Sequence, residues 1–326
     1  MATLLLVRAL VLSLAVLLVS SNTGCRWPHM FRRYASEPTP IAFAGLPSRD
    51  EALAAINANG ARIQSLQTQG ATVSVPGAPS IGAEIALEKP KSFRFRAGTL
   101  LLGPELDMGS NDSLFWFWAA RAPEPSVFYA RHDQFATSRA KQMLPIEPSW
   151  LIQALGVVEV DPATILDGPK AAGKDRVEVR TTLSTSAGQF TRLIHLDSRY
   201  AWILEQHLYD ERGQLVASAR SSEHEYYPLD GVSLPRQIDV QIPQGQMQFQ
   251  LTVDRWTINQ PPLEGPAQFE LPRSQLASHP FIDMADPSFV PPGGQVSSGP
   301  QAGAAAGSEP KPAELSERYR GFNAWR

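Results

Sequence analysis

Met247-Gln248-Phe249-Gln250-Leu251-Thr252-Val253-Asp254 is the stretch whose reading decides the fold. Apolar and polar residues alternate without a break, so one face of a strand is buried and the other is wet. The same period of two recurs upstream. Ile238, Val240 and Ile242 alternate with Asp239 and Gln241, and Phe93 and Phe95 alternate with Arg94 and Arg96. Val73 with Val75 and Ile85 with Leu87 extend it. One buried and one solvated face is the habit of an antiparallel sheet. Turn residues separate the strands at short intervals: Ser186-Ala187-Gly188, Asp197-Ser198, Asp210 to Gly213, Asp230-Gly231 and Pro243 to Gly245. From Arg176 to Ile258 the pattern is a meander of hairpins.

Two helical windows interrupt it. Asp50 can cap a helix in which Leu53, Ile56, Ile63 and Leu66 recur at helical spacing, with Gly60 as an interruption and Gly70 as a stop. Ser149 to Gly156, preceded by Pro145 and Pro148, reads as a second helix, and Gln134 to Met143 as a further helical turn. The fold class is therefore α+β: an N-terminal helix, one strongly curved antiparallel sheet and an inserted helix. Alternation fails only at Leu114-Phe115-Trp116-Phe117-Trp118, where both faces are aromatic. Such a strand needs cover on both sides, or it lines a site for an apolar ligand.

The chain has 326 residues, and a 43% hydrophobic fraction suffices for a core. A formal charge of −3 gives no reason to expect nucleic acid as a partner, and a single cysteine cannot form an internal disulfide or a Cys-rich metal site. That cysteine is placed. Met1 to Arg8 is short and carries one positive charge, Ala9 to Val19 is uninterruptedly apolar, and Ser20 to Gly24 is small and polar. This is a signal-peptide layout, with an apolar run too short to span a bilayer. Cys25, preceded by Thr23 and Gly24, resembles the lipobox of bacterial lipoproteins, departing from it at Asn22. The alternatives are an ordinary cleaved signal or an uncleaved anchor. Lipidation at Cys25 would make it the mature N-terminus, with acyl chains in a membrane. Arg26 in place of Asp after that cysteine favours, by resemblance, the outer membrane over the inner. Four regions are expected: 1–24 signal peptide, 25–49 lipid anchor and Pro-rich tether, 50–273 folded body, and 274–326 a mostly disordered tail. Pro291 to Ala313 has 18 Pro, Gly, Ala or Ser among 23 residues, too little apolar mass to pack. Tyr319, Phe322 and Trp325 beside Arg318, Arg320 and Arg326 are either a docking peptide or part of the tail.

No HExxH, GxSxG or phosphate-cradling loop occurs. His195 shares a strand face with Asp197, and His207 shares one with Glu205, whereas a metal site needs three or four converging ligands. Glu223 and Glu225 face away from His224. Asp107 to Asp112 reads as a tight hairpin. No enzymatic activity, cofactor or metal is expected.

The helix, then Lys89-Pro90 with Phe93 and Phe95, then Asp107, Gly109-Ser110 and Trp116, then a hairpin meander ending near Pro272, resembles the outer-membrane lipoprotein carrier and lipoprotein-receptor superfamily. The resemblance covers roughly residues 49–272. It implies an unclosed β-barrel whose concave face, lidded by helices, binds acyl chains without catalysis. An anchored chain would stand nearer the receptor than the soluble carrier. Candidate lining residues are Phe93, Phe95, Phe115, Trp116, Phe117, Trp118, Met247, Phe249 and Leu251, with Trp150 on a lid-like helix. The expected partners are a membrane, reached through the N-terminal lipid, and an acyl-chain lipid or lipoprotein bound by a monomer facing the periplasm. The alternative is a structural or interaction lipoprotein that keeps the fold without a ligand.

Overall fold

The structure, a computed structural model, describes residues 38–290 apart from 100, 102, 123, 136, 139–148, 186–187 and 246. The chain divides into two units, Met1–Glu37 and Pro38–Arg326, and every described residue belongs to the second. The signal segment, Cys25 and the aromatic cluster at Tyr319, Phe322 and Trp325 lie outside the described residues. So do the helical turn expected beyond Ser138 and the Pro291 to Ala313 stretch.

One sheet dominates. Its strands are β1 (Ser65–Ser74), β2 (Ile81–Glu88), β3 (Ser92–Thr99), β4 (Gly103–Ser110), β5 (Leu114–Ala119), β6 (Val127–Arg131), β7 (Ile165–Ala171) and β8 (Arg176–Thr185). They continue with β9 (Gly188–Asp197), β10 (Ile203–Tyr209), β11 (Leu215–Tyr227), β12 (Val232–Ile242), β13 (Met247–Val253), β14 (Thr257–Ile258) and β15 (Phe281–Asp283). The order is β15-β6-β5-β4-β3-β2-β1-β13-β12-β11-β10-β9-β8-β7, with β14 also on β1. Each pair is antiparallel except β15 with β6. The end strands β15 and β7 do not pair, so the sheet is an unclosed half-barrel, as expected.

Helix α1 (Arg49–Arg62) begins at Ser48, not at Asp50. Ser48 Oγ accepts from Glu51 N at 3.3 Å and Ser48 N donates to Glu51 Oε2 at 2.7 Å, a capping box. The helix is shorter than its apolar spacing predicts. Ile63 is the extended C-cap and Leu66 lies in β1, both still fully buried. The stop comes from across the chain. Asn259 Oδ1 accepts from Gln64 N and Ser65 N, and its Nδ2 donates to the Arg62 carbonyl. Gly60 does not break the helix, and Gly70 falls at a bulge of β1 against β2. Helices α2 (His132–Phe135) and α3 (Ser149–Ala154) are short. Among the described residues no helix is long and apolar enough to cross a membrane.

The folded unit extends into the region assigned to the tail. β15 lies there, and Leu276, Met284 and Phe289 are buried. At the other end Phe43, placed in the tether, is buried against α1. Both segments carry isolated apolar residues that local pattern cannot distinguish from linker, and tertiary contacts recruit them.

Candidate functional site on the inner face of the sheet

Register assigns the faces. Ile85, Phe95, Met108, Phe117 and Phe128 stand in one cross-strand row, and Leu87, Phe93, Ser110, Phe115 and Ala130 in the next. Across the other half, Val73, Leu251, Ile238 and then Val240 with Phe249 continue this inner face. Helices cover it in two places. Leu53 and Ile56 of α1 pack with Val158 and Val160 on Val177, Val179, Ile194 and Leu196. Trp150 and Ile152 of α3, with Leu155, pack on the apolar residues of β1 to β3 and β10 to β13. Between and beyond these patches, Val75, Ile81, Leu106, Met108, Leu183 and Phe249 are only partly buried.

Of the sequence-predicted lining residues, Phe93, Phe95, Phe115, Phe117, Met247, Phe249 and Leu251 share the inner face. Trp150 of α3 packs in one cluster with Phe93, Phe95 and Leu251, with Phe249 against it, while Phe115 lies in a separate cluster. Trp116 and Trp118 do not share the inner face. They point to the outer face, where Leu271, Leu276 and Phe281 cover them. Both faces of β5 are thus aromatic because both are covered: Phe135, Met284 and Phe289 lie over Phe115 on the inner side. The rings of Phe115 and Phe135 meet edge-on at 5.1 Å.

The outer cover is fastened by a buried ion pair. Arg94 Nη2 donates to Asp107 Oδ2, and Arg94 Nη1 donates to the Gln268 carbonyl at 2.8 Å and the Glu270 carbonyl at 3.3 Å. Trp116 Nε1 donates to Asp107 Oδ1 at 3.0 Å, and the guanidinium of Arg94 lies 5.3 Å from the Trp116 ring centre. A shallow outer cleft beside this pair is lined by Gln67, Glu84, Arg94, Arg96, Leu263 and Gln268. Asp107 to Asp112 forms the expected hairpin, with Asn111 Oδ1 accepting from Ser113 N and Leu114 N.

Sequence reading missed the polar groups under α3. Arg192 points inward and is 1% exposed. Its Nη1 donates to Gln153 Oε1 at 2.7 Å and its Nε to Thr181 Oγ1 at 3.2 Å, both neutral acceptors. Burial pushes its guanidinium down to about 10. Gln206 Nε2 donates to the Gln153 carbonyl at 2.8 Å, while Gln206 Oε1 and Trp150 Nε1 are buried with no hydrogen-bond partner among the described residues. The arginine alternates in phase with Phe190, Ile194 and Leu196, which is the one signal the sequence offers. Sequence reading also passed over Leu101, 96% exposed at the tip of the β3–β4 hairpin.

A half-barrel with an apolar inner face under helices defines the class of protein. No family model matches the chain, and no curated protein matches it. Solved structures similar to it include a putative outer membrane lipoprotein-sorting protein domain from Vibrio parahaemolyticus. The two are 10% identical over 65% of this chain and 94% of that one, with TM-score 0.43. Another is a DUF1329 family protein from Desulfovibrio piger, 14% identical over 68% and 95%, TM-score 0.47. A third is a LolA superfamily protein from Nitrosomonas europaea, 10% identical over 67% and 97%, TM-score 0.40.

Proposed function

We propose that this chain is a membrane-anchored bacterial envelope lipoprotein that holds acyl chains, of a lipid or a lipoprotein, against the inner face of its half-barrel. It does so without catalysis. The observation that carries the reading is the largely apolar inner face, only partly covered at Val75, Ile81, Met108 and Phe249. Each methylene brought out of water there contributes about 0.8 kcal/mol. Helix α3 is the lid. Its seat includes a buried indole N–H and a buried amide oxygen without partners among the described residues, and leaving such a group unpaired costs about 1–3 kcal/mol. Displacement of α3 by a ligand carrying polar head atoms would relieve that penalty, with Arg192 available to an ester or anionic oxygen. The signal-like N-terminus and Cys25 supply the anchor, and the outer membrane is the preferred location. Leu101 at its hairpin tip suits contact with a bilayer or with a passenger's acyl chain.

Native mass spectrometry of the full chain after gentle detergent extraction tests this. Co-purified phospholipid or acyl ligand is expected, and it should be lost in Phe249→Asp without loss of fold. A repeatedly empty protein sinks the binding reading. It would leave the second one, an envelope lipoprotein without ligand, which the close packing of Trp150 inside the sheet favours. The anchor is checked separately: Cys25→Ala should block maturation or release the protein from membranes.

A further inference from the structure

The outer face carries a second constellation, on the side of β8 to β10 that the lipid reading does not use. The β8–β9 and β9–β10 registers place Glu178 opposite His195 and His195 opposite Glu205. His207 stands two residues after Glu205 on the same face. His195 and the Glu205–His207 pair, which sequence alone keeps separate, therefore converge. His207 Nε2 lies 3.1 Å and His195 Nδ1 lies 3.6 Å from Glu205 Oε2. One donor atom from each of the three residues falls within 4.8 Å of the others. We propose that His195, Glu205 and His207 form a binding site for a zinc-type divalent transition metal on the outer face of the half-barrel.

Three features support it. A tetrahedral zinc ion with ligands at about 2.0–2.1 Å places its donor atoms about 3.3 Å apart, and the two measured edges bracket that value. His195 Nε2 lies 3.4 Å from Glu178 Oε2, the carboxylate partner that a metal-bound imidazole commonly has on its far nitrogen. Donation to Glu178 leaves the Nδ1 lone pair facing Glu205, and Nδ1 is buried with no hydrogen-bond partner among the described residues. Finally, Glu205 is oriented from its other side. Arg176 Nη1 and Arg220 Nε lie 2.9 and 3.2 Å from Oε1, leaving Oε2 to the metal. These guanidiniums offset the carboxylate charge, so the site has little attraction for hard cations such as Ca²⁺ or Mg²⁺, which want several oxygens. Two imidazoles and one carboxylate, with an open fourth position, suit zinc.

The test uses the full chain in detergent, stripped with a chelator and titrated with zinc by calorimetry. One equivalent should bind, with no heat from Mg²⁺ or Ca²⁺. Affinity should fall at least tenfold in His195→Ala and in His207→Ala, and about 10- to 100-fold in Glu178→Gln. It should not change in His279→Ala, near the other end of the sheet. Melting of the metal-free variants reports whether they fold. The visible spectrum of the cobalt-loaded wild type reads the ligand set independently of any mutation. Absence of one-equivalent uptake overturns the proposal and leaves a polar network of Glu205, its arginines and its histidines. Wild-type affinity in both histidine variants, or an octahedral all-oxygen cobalt spectrum, overturns it as well.

Discussion

Arg94 and Asp107 show what one residue can hold in this fold. Their side chains are 6% and 7% exposed, and between them they touch β4, β5 and the segment after Pro266. Removing one member of a buried pair leaves the other charge uncompensated, at about 3–5 kcal/mol. Asp107→Ala should therefore lower unfolding free energy by that amount in urea titration and shift Trp116 emission, since it also frees the indole N–H. His224 gives a pH signature. Burial, opposed by its hydrogen bond to the Ile203 carbonyl, holds its imidazole down at about 4, against an ordinary value of 6.5. Below 6.5 the unfolded chain takes up a proton that the folded chain refuses. Stability present above pH 6.5 is thus lost as pH falls toward 4, by at most about 3 kcal/mol. In His224→Gln that increment should disappear from the difference between urea midpoints at pH 7 and pH 4.5. An unchanged pH slope would remove His224 as its source.

At the scale of the element, α1 illustrates how packing overrules propensity. Gly60 in its last turn would be improved by alanine on helix propensity alone, by about 1 kcal/mol. A Cβ there, however, would sit 2.2 Å from the Val158 carbonyl oxygen, and backbone cannot step aside as a side chain can. Gly60→Ala should destabilise by about 1–3 kcal/mol, the range of overpacked cores. A stabilised variant in thermal melts would mean that α1 does not approach Val158 this closely. The same helix shows why boundaries were misread. Its capping box is local, while its stop is made by Asn259, about two hundred residues away in sequence. β5 is the reverse case. Its doubly aromatic pattern states that both faces need cover, and the two covers come from α2 and from the chain after Pro266.

For the folded unit as a whole, the segment after Arg273 is structural. It supplies β15 to the sheet edge and Leu276, Met284 and Phe289 to two apolar clusters. A chain ending at Pro272 would expose Trp116, Trp118 and Phe115 together, an apolar patch of the kind that aggregates. Such a truncation should give insoluble protein or a melting temperature many degrees lower. Soluble protein with unchanged melting would show that the edge is dispensable. The inner and outer faces also separate functionally. The lipid reading uses the inner face under α3, the metal proposal uses the outer face of β8 to β10, and either can fail without the other.

Period-two alternation, turn residues and the aromatic strand were enough to specify an antiparallel curved sheet with an early helix and an inserted one. These are local properties: a buried face must repeat every second residue, and a hairpin needs residues suited to its turn. Alternation also sorted the lining candidates into two faces, since Phe115 with Phe117 and Trp116 with Trp118 are opposed within one strand. Which face turned inward, and so which aromatics belong to the site, required the register of β4, β5 and β6 and the position of the helices. The convergence of His195, Glu205 and His207 had no local signature, and the burial of Arg192 among neutral partners had only its phase with Phe190, Ile194 and Leu196. Pairings between strands and the placement of covers are set by contacts between distant segments, and only the tertiary structure decided them.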